Sequence, residues 1–255
     1  MYKCSIITFV DILGFKKLVK EKSPKDIIRI LSIPKEYFNS QPKDKYENIQ
    51  ISTFSDSIII SFKYTEEHAV YNLFLDLMNI LIAFIQENII CRGAIVKGEI
   101  FHEQNFLFGQ GFIDAYELEK KMKYPRIGFS KEILDIGCRY PDPKGTNRKE
   151  EVFIKTLCSK DDDDCYFIDY FSTPVSSVRS VTCVNRKDYF LKILGIINKG
   201  LSDFDPCVRD KYVWVKSKFK QILKNILIYP EGEAYEMIFK DIKKEEIKEI
   251  LKQIL

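Results

Sequence analysis

The chain has 255 residues, 45% hydrophobic and 30% charged, which is enough apolar material for one large core or a core with an extension. Its 40 basic and 37 acidic residues leave a net charge of +3, which argues against the strong basic excess of a nucleic-acid binder. Seven cysteines at irregular spacings, with no CxxC pair, argue against a zinc site and a disulfide framework and point to a reducing cytosol.

Ser5–Val10 (SIITFV) is a short apolar, β-branched run that predicts a buried strand, with no signal peptide ahead of it. Asp11–Phe15 follows as a turn marked by Gly14. Lys16–Lys22 starts a helix, and Ser23–Ser32 continues helically with Ser23 as N-cap and Pro24 in the first turn. Tyr37–Asn48 reads as a polar loop, and Ile49–Phe62 (IQISTFSDSIIISF) as two strands around a Ser55–Asp56 turn. Glu66–Asn88 predicts a long helix. Its apolar stretch is broken by Asn72, Asp76, Asn79, Gln86, Glu87 and Asn88, which marks a buried amphipathic helix and not a membrane span. Ile89–Ile100 (IICRGAIVKGEI) predicts a central strand with Gly93 and Gly98 at points of close backbone approach. Phe106–Gly109 is a short strand or turn, Phe112–Lys123 a helix, Arg126–Phe129 a strand and Lys131–Ile136 a short helix.

Pro141–Glu150 reads as a loop, and Glu151–Leu157 with Tyr166–Phe171 as a last pair of strands. Asp161–Asp164 between them reads as a solvated acidic tip. From Arg186 the pattern is helical, over Arg186–Lys199, Pro206–Tyr229 and Glu231–Leu255. This order predicts an α+β domain over 1–175, with a ferredoxin-like, mostly antiparallel sheet and helices on one face, followed by a helical extension over 176–255.

Two aspartates interrupt the most apolar runs, Asp11 at the end of the first strand and Asp56 in the hairpin turn. Taken singly, Asp11 is an ordinary helix N-cap and Asp56 an ordinary turn residue. As a pair, on neighbouring strands of a ferredoxin-like sheet, they converge on one edge and offer hard oxygen ligands of the kind Mg²⁺ takes alongside substrate phosphates. The N–H groups from Gly14 through Phe15 and Lys16 to Lys17 open a helix and suit phosphate oxygens. His68 and His102 are isolated and read as neither ligand nor base, and Trp214 reads as helix packing.

Four segments in order resemble class III adenylyl and guanylyl cyclases over about residues 5–130. These are FVDILGF with Asp11, FSDSIIISF with Asp56, CRGAIVKGEI with Arg92, Gly93 and Gly98, and FGQGFIDAYELEKK, which is similar to the start of their dimer-interface helix. The resemblance implies a homodimer with composite sites and two Mg²⁺ or Mn²⁺ ions held by Asp11, Asp56 and the carbonyl of Ile12. It also implies attack of a ribose 3′-hydroxyl on the α-phosphate of a nucleoside triphosphate. Ser52 and Gln110 stand where the family reads its purine base, and neither matches the adenine or the guanine pair. Ile113 and Glu117 stand where it places a transition-state Asn and Arg.

These departures resemble the bacterial pyrimidine cyclases of antiphage defence, cytoplasmic enzymes whose cyclic UMP or cyclic CMP acts on a separate effector. CVRDKYVWVKSKF, with Tyr212 and Trp214, looks like part of their helical C-terminal segment. On that basis UTP is the expected substrate. Ser52, Phe54 and Gln110 line the base pocket, and Gly14, Phe15 and Lys16 meet phosphates. Arg92 replaces the missing Arg, with Arg126 as second candidate, because a guanidinium answers charge building on phosphate. Lys17 and Lys97 are further phosphate candidates, and Tyr116 is expected in the core, at the nucleotide or at the partner.

Overall fold

A computed structural model describes residues 1–42, 49–64, 69–103, 105–139, 154–171, 185–233, 235, 239 and 241–254. The chain divides into two compact units, one of residues 1–84 and 90–169 and the other of residues 85–89 and 170–255.

In the first unit the described elements are β1 (Lys3–Ile12), α1 (Phe15–Glu21), α2 (Pro24–Asn39), β2 (Gln50–Phe54), β3 (Ser57–Lys63), α3 (Ala69–Gln86, its last two residues grouped with the other unit), β4 (Cys91–Glu103), β5 (Phe106–Phe108), α4 (Gln110–Lys121), β6 (Ile127–Phe129), α5 (Lys131–Arg139), β7 (Cys158–Lys160) and β8 (Tyr166–Ile168). The strands run in the order β2-β3-β1-β4-β6-β8-β7, with β5 paired to β4 alone. The first four are antiparallel throughout, the ferredoxin-like order, and β6 then joins β4 in parallel. This is the mixed α+β architecture with a central sheet that the element order predicts.

β1 is central because both its faces are apolar. Ile6, Val10 and Ile12 point one way and Ile7 and Phe9 the other, and all are buried. Helices therefore cover both faces, not the single face expected. α4 lies over Ile7, Phe9, Ile59 and Ile100 through Ala115 and Phe112, and α3 lies on the opposite face, where Phe74 packs on Phe129 at 4.8 Å. Two boundaries also differ. The helix begun at Ser23 runs to Asn39, because Pro34 and Phe38 are buried and the apolar spacing carries past Ser32 into the expected loop. The strand expected over Glu151–Leu157 begins only at Cys158. Residues 154–156 are helical, and 151–153 lie outside the described residues, as do His68 and the expected loop 141–150.

The second unit holds α6 (Arg186–Leu201), α7 (Pro206–Ile228) and α8 (Lys244–Ile254). Asn185 and Asp205 cap the first two by accepting from the N–H groups of Asp188 and Cys207. The core is built from Tyr189, Phe190, Ile193, Phe219, Leu223 and Ile247, and Trp214 packs near Phe171 at 6.1 Å, in the packing role expected of it. No described helix is long and apolar enough to cross a membrane.

Candidate active site

β1 ends at the turn that carries Asp56. Asp11 pairs with Ser57 across the ladder, and the N–H of Ile12 donates to the Asp56 carbonyl at 3.0 Å. Ser55 precedes Asp56 with φ +56°, the left-handed region that a two-residue hairpin turn requires. The local sequence thus brings both aspartates to one end of the sheet. The carboxylates of Asp11 and Asp56 and the Ile12 carbonyl are hard oxygen donors, of the kind Mg²⁺ or Mn²⁺ takes alongside water and phosphate. Among the described residues no three or more His, Cys, Asp or Glu gather into a closed cage.

Arg92 faces Asp11 from β4, directly across the ladder. Its Nη2 donates to Asp11 Oδ2 at 3.2 Å, its Nη1 to the Met122 carbonyl at 3.4 Å, and its Nε lies 2.5 Å from Glu119 Oε1. Glu119 comes from the buried face of α4. Burial pushes its carboxyl above the usual range, against the downward pull of the Arg92 charge. Sequence reasoning passed over Glu119, the second of two glutamates in ELEKK at the end of α4. The signal for it was helical spacing, since Ala115 and Glu119 share the apolar side of α4.

Arg126 does not reach this cluster. It is 1% exposed and pairs with Asp161 and Asp163. That corrects the reading of the acidic run as a solvated tip, because a buried guanidinium needs anions and this hairpin supplies two. The Arg126 partner holds the Asp163 carboxyl below its usual range.

The phosphate candidates separate. Gly14 caps α1 with φ +74°, Phe15 opens it and Lys16 is exposed beside it, while the Lys17 N–H already donates to the Gly14 carbonyl at 2.9 Å. Lys97 lies on the sheet face opposite Arg92 and packs over the Tyr64 ring at 4.1 Å, so the structure does not bring it to the aspartates.

On the Asp11 side of the sheet, β2 presents Ser52 partly buried and Phe54 80% exposed. Gln110 stands exposed at the start of α4 and donates to Asp114 Oδ1 at 2.8 Å. Further along α4, Ile113 and Tyr116 are exposed, and Tyr116 also leans on Phe9 at 5.7 Å.

His102, read from sequence as isolated, is not. Past Ile100, β4 leaves β1 to pair with β5, and this carries His102 onto the β2–β3 pair. Its Nε2 lies 2.8 Å from Ser52 Oγ and its Nδ1 2.8 Å from Ser61 Oγ. Burial holds its pKa below the usual value, so the ring is neutral near pH 7.

No family model matches the sequence, and no curated protein matches it significantly. Among solved structures the chain is similar to the guanylyl cyclase Cya2, at 10% identity and TM-score 0.43 over 66% of this chain and 92% of that one. It is similar to the adenylyl cyclase CyaB from P. aeruginosa at 15% identity and TM-score 0.41, over 66% of this chain and 94% of the other. It is also similar to the catalytic core of a rhodopsin-guanylyl cyclase with converted specificity at 19% identity and TM-score 0.41, over 53% and 81% of the two chains.

Proposed function

We propose that this chain is a nucleotide cyclase of the class III type that converts UTP to 3′,5′-cyclic UMP and pyrophosphate. The observation that carries the reading is the convergence of Asp11 and Asp56 at one end of the sheet, locked by the Ile12–Asp56 hydrogen bond, with Arg92 across from Asp11. The four ordered motifs support it. Asp11, Asp56 and the Ile12 carbonyl hold the divalent ions, which when bound supply Lewis-acid activation of the 3′-hydroxyl and charge for the leaving pyrophosphate. The 3′-hydroxyl gives up its proton to solvent and its oxygen bonds the α-phosphorus as the bond to pyrophosphate breaks. Glu119 holds Arg92 beside Asp11, where its guanidinium answers the negative charge that builds on the phosphates. Gly14, Phe15 and Lys16 meet phosphate oxygens, and Ser52, Phe54 and Gln110 surround the base.

The active form is a homodimer with composite sites, each taking its carboxylate end from one copy and its base-reading surface from the other. Exposed Ile113 and Tyr116 on α4 support a second copy at this surface. The cyclic product acts on a separate effector in cytoplasmic antiphage defence, as in the pyrimidine cyclases that the motifs resemble. A second reading, a nucleotide-binding homologue without turnover, is favoured by Ile113 and Glu117 in the places of the family's Asn and Arg.

The test is incubation of purified protein with ATP, GTP, CTP and UTP separately, with Mn²⁺, and identification of products by mass. The expected result is cyclic UMP from UTP, lost in Asp56→Ala. A cyclic purine overturns the base assignment, and no product from any of the four supports the second reading.

A further inference from the structure

We infer that Ser61 and His102 set the base specificity of this site by leaving the Ser52 proton free to donate, which favours a base carrying a carbonyl at the position Ser52 reads, as uracil does and cytosine does not. This rests on the cyclase reading above for the location of the base.

A neutral imidazole carries one N–H and one bare nitrogen, so of the two serines flanking His102 one receives a proton and the other gives one. Which is which follows from burial. Ser61 is 3% exposed, and His102 is the only hydrogen-bond partner of its hydroxyl among the described residues. A buried hydroxyl proton left without an acceptor is costly, so Ser61 donates to Nδ1. The polar cavity beside Ser61 gives that proton no better destination. Lys3 and Lys63, which line it, carry only donors, Glu103, the one carboxylate lining it, is engaged by Lys3 at 2.8 Å, and Ser5 and Gln50 line it without a hydrogen bond to the Ser61 hydroxyl, whose partner is His102.

With Nδ1 occupied as acceptor, the ring proton sits on Nε2 and is donated to Ser52 Oγ. Ser52 therefore does not spend its own proton inward. It is only partly buried, and its O–H is left for a ligand on the open side of β2. The reverse tautomer consumes the Ser52 proton at Nε2, leaving only lone pairs outward. That state accepts from an amino group and offers nothing to a carbonyl. Ser61 is thus a positioning residue that acts through His102, and Ser52 is the group that touches the base.

The experiment measures equilibrium binding of UTP and of CTP to the full-length protein by calorimetry, together with cyclisation rates for both. It compares the wild type with Ser61→Ala, His102→Leu and Ser52→Ala. A ¹⁵N-resolved NMR measurement of the His102 ring is made on nucleotide-free wild type. The expected results are an Nε2–H tautomer, a wild-type preference for UTP, and a UTP:CTP affinity ratio that falls about tenfold in Ser61→Ala and His102→Leu, or about 1.4 kcal/mol. Ser61→Ala is a small change at a site remote from the base, so a merely structural role lowers both affinities together and leaves the ratio unchanged. An unmoved ratio, a preference for CTP or an Nδ1–H tautomer overturns the inference while leaving the cyclase reading standing. Base-selective binding without any cyclic product sinks the cyclase reading and keeps the relay. Absence of binding to either nucleotide overturns both.

Discussion

Arg92 sits between two carboxylates of opposite character, one at the open sheet end and one buried under α4. Glu119 anchors it, so the guanidinium is oriented before any substrate arrives. Loss of such a pre-oriented charge acts on the transition state more than on ground-state binding. Arg92→Ala is therefore expected to lower kcat for UTP by roughly 10²–10³-fold with KM changed only a few-fold, in the range seen when one oxyanion-stabilising donor is removed. Arg92→Lys keeps the charge but loses the planar fork that meets Asp11 and Glu119 together, and falls between the two. Steady-state kinetics on the purified variants checks both. Asp11 and Asp56 were legible in the sequence because a carboxylate inside runs as apolar as SIITFV–D–ILGF and STFS–D–SIIISF stands out against its neighbours, and Arg92 through the segment CRGAIVKGEI that resembles the cyclase strand. His102 was not, because its partners Ser52 and Ser61 are 50 and 41 residues away and meet it only where β4 departs from the main sheet. Arg126 and its aspartates were misassigned for the same reason, their separations being 35 and 37 residues.

α4 meets the sheet through two glycines. A Cβ at Gly98 of β4 would lie 2.6 Å from the Gly111 Cα, and a Cβ at Gly111 would lie 2.4 Å from Ile7 Cδ1 and 3.0 Å from the Gly98 backbone. That approach seats α4 on Phe9 and holds Glu119 against Arg92. Gly111→Val forces the helix outward and is expected to cost about 1–3 kcal/mol in urea unfolding, the usual penalty of overpacking. It should also lower cyclisation more than the stability loss explains, because Glu119 moves with the helix. At this scale the sequence pattern located the strands and helices well. It flagged Gly98 as a point of close approach, yet it could not name Gly111 as the partner. Periodicity tells which face of an element is buried and says nothing of what lies on it. The extension of α2 through Pro34 was missed because Tyr37, which hydrogen-bonds Asp76 at 2.8 Å, looks polar until its acceptor on α3 is known.

For the whole molecule, the arrangement of chemistry along a single strand matters most. β4 carries Arg92 near one end and His102 near the other. In the composite dimer proposed above, these two ends serve different nucleotides, since the carboxylate end of one copy works with the base-reading surface of its partner. Each strand is then shared property between two reaction centres. Two defective chains, one with Arg92→Ala and one with His102→Leu, place both lesions in one centre of a mixed pair and leave the other centre intact. Mixing them is expected to restore cyclisation that is both fast and base-selective, a combination neither chain shows alone, approaching half the wild-type rate per mixed pair, measured on co-expressed and doubly tagged dimers. Genetically, alleles damaged at opposite ends of β4 should thus complement each other, although both encode the same chain.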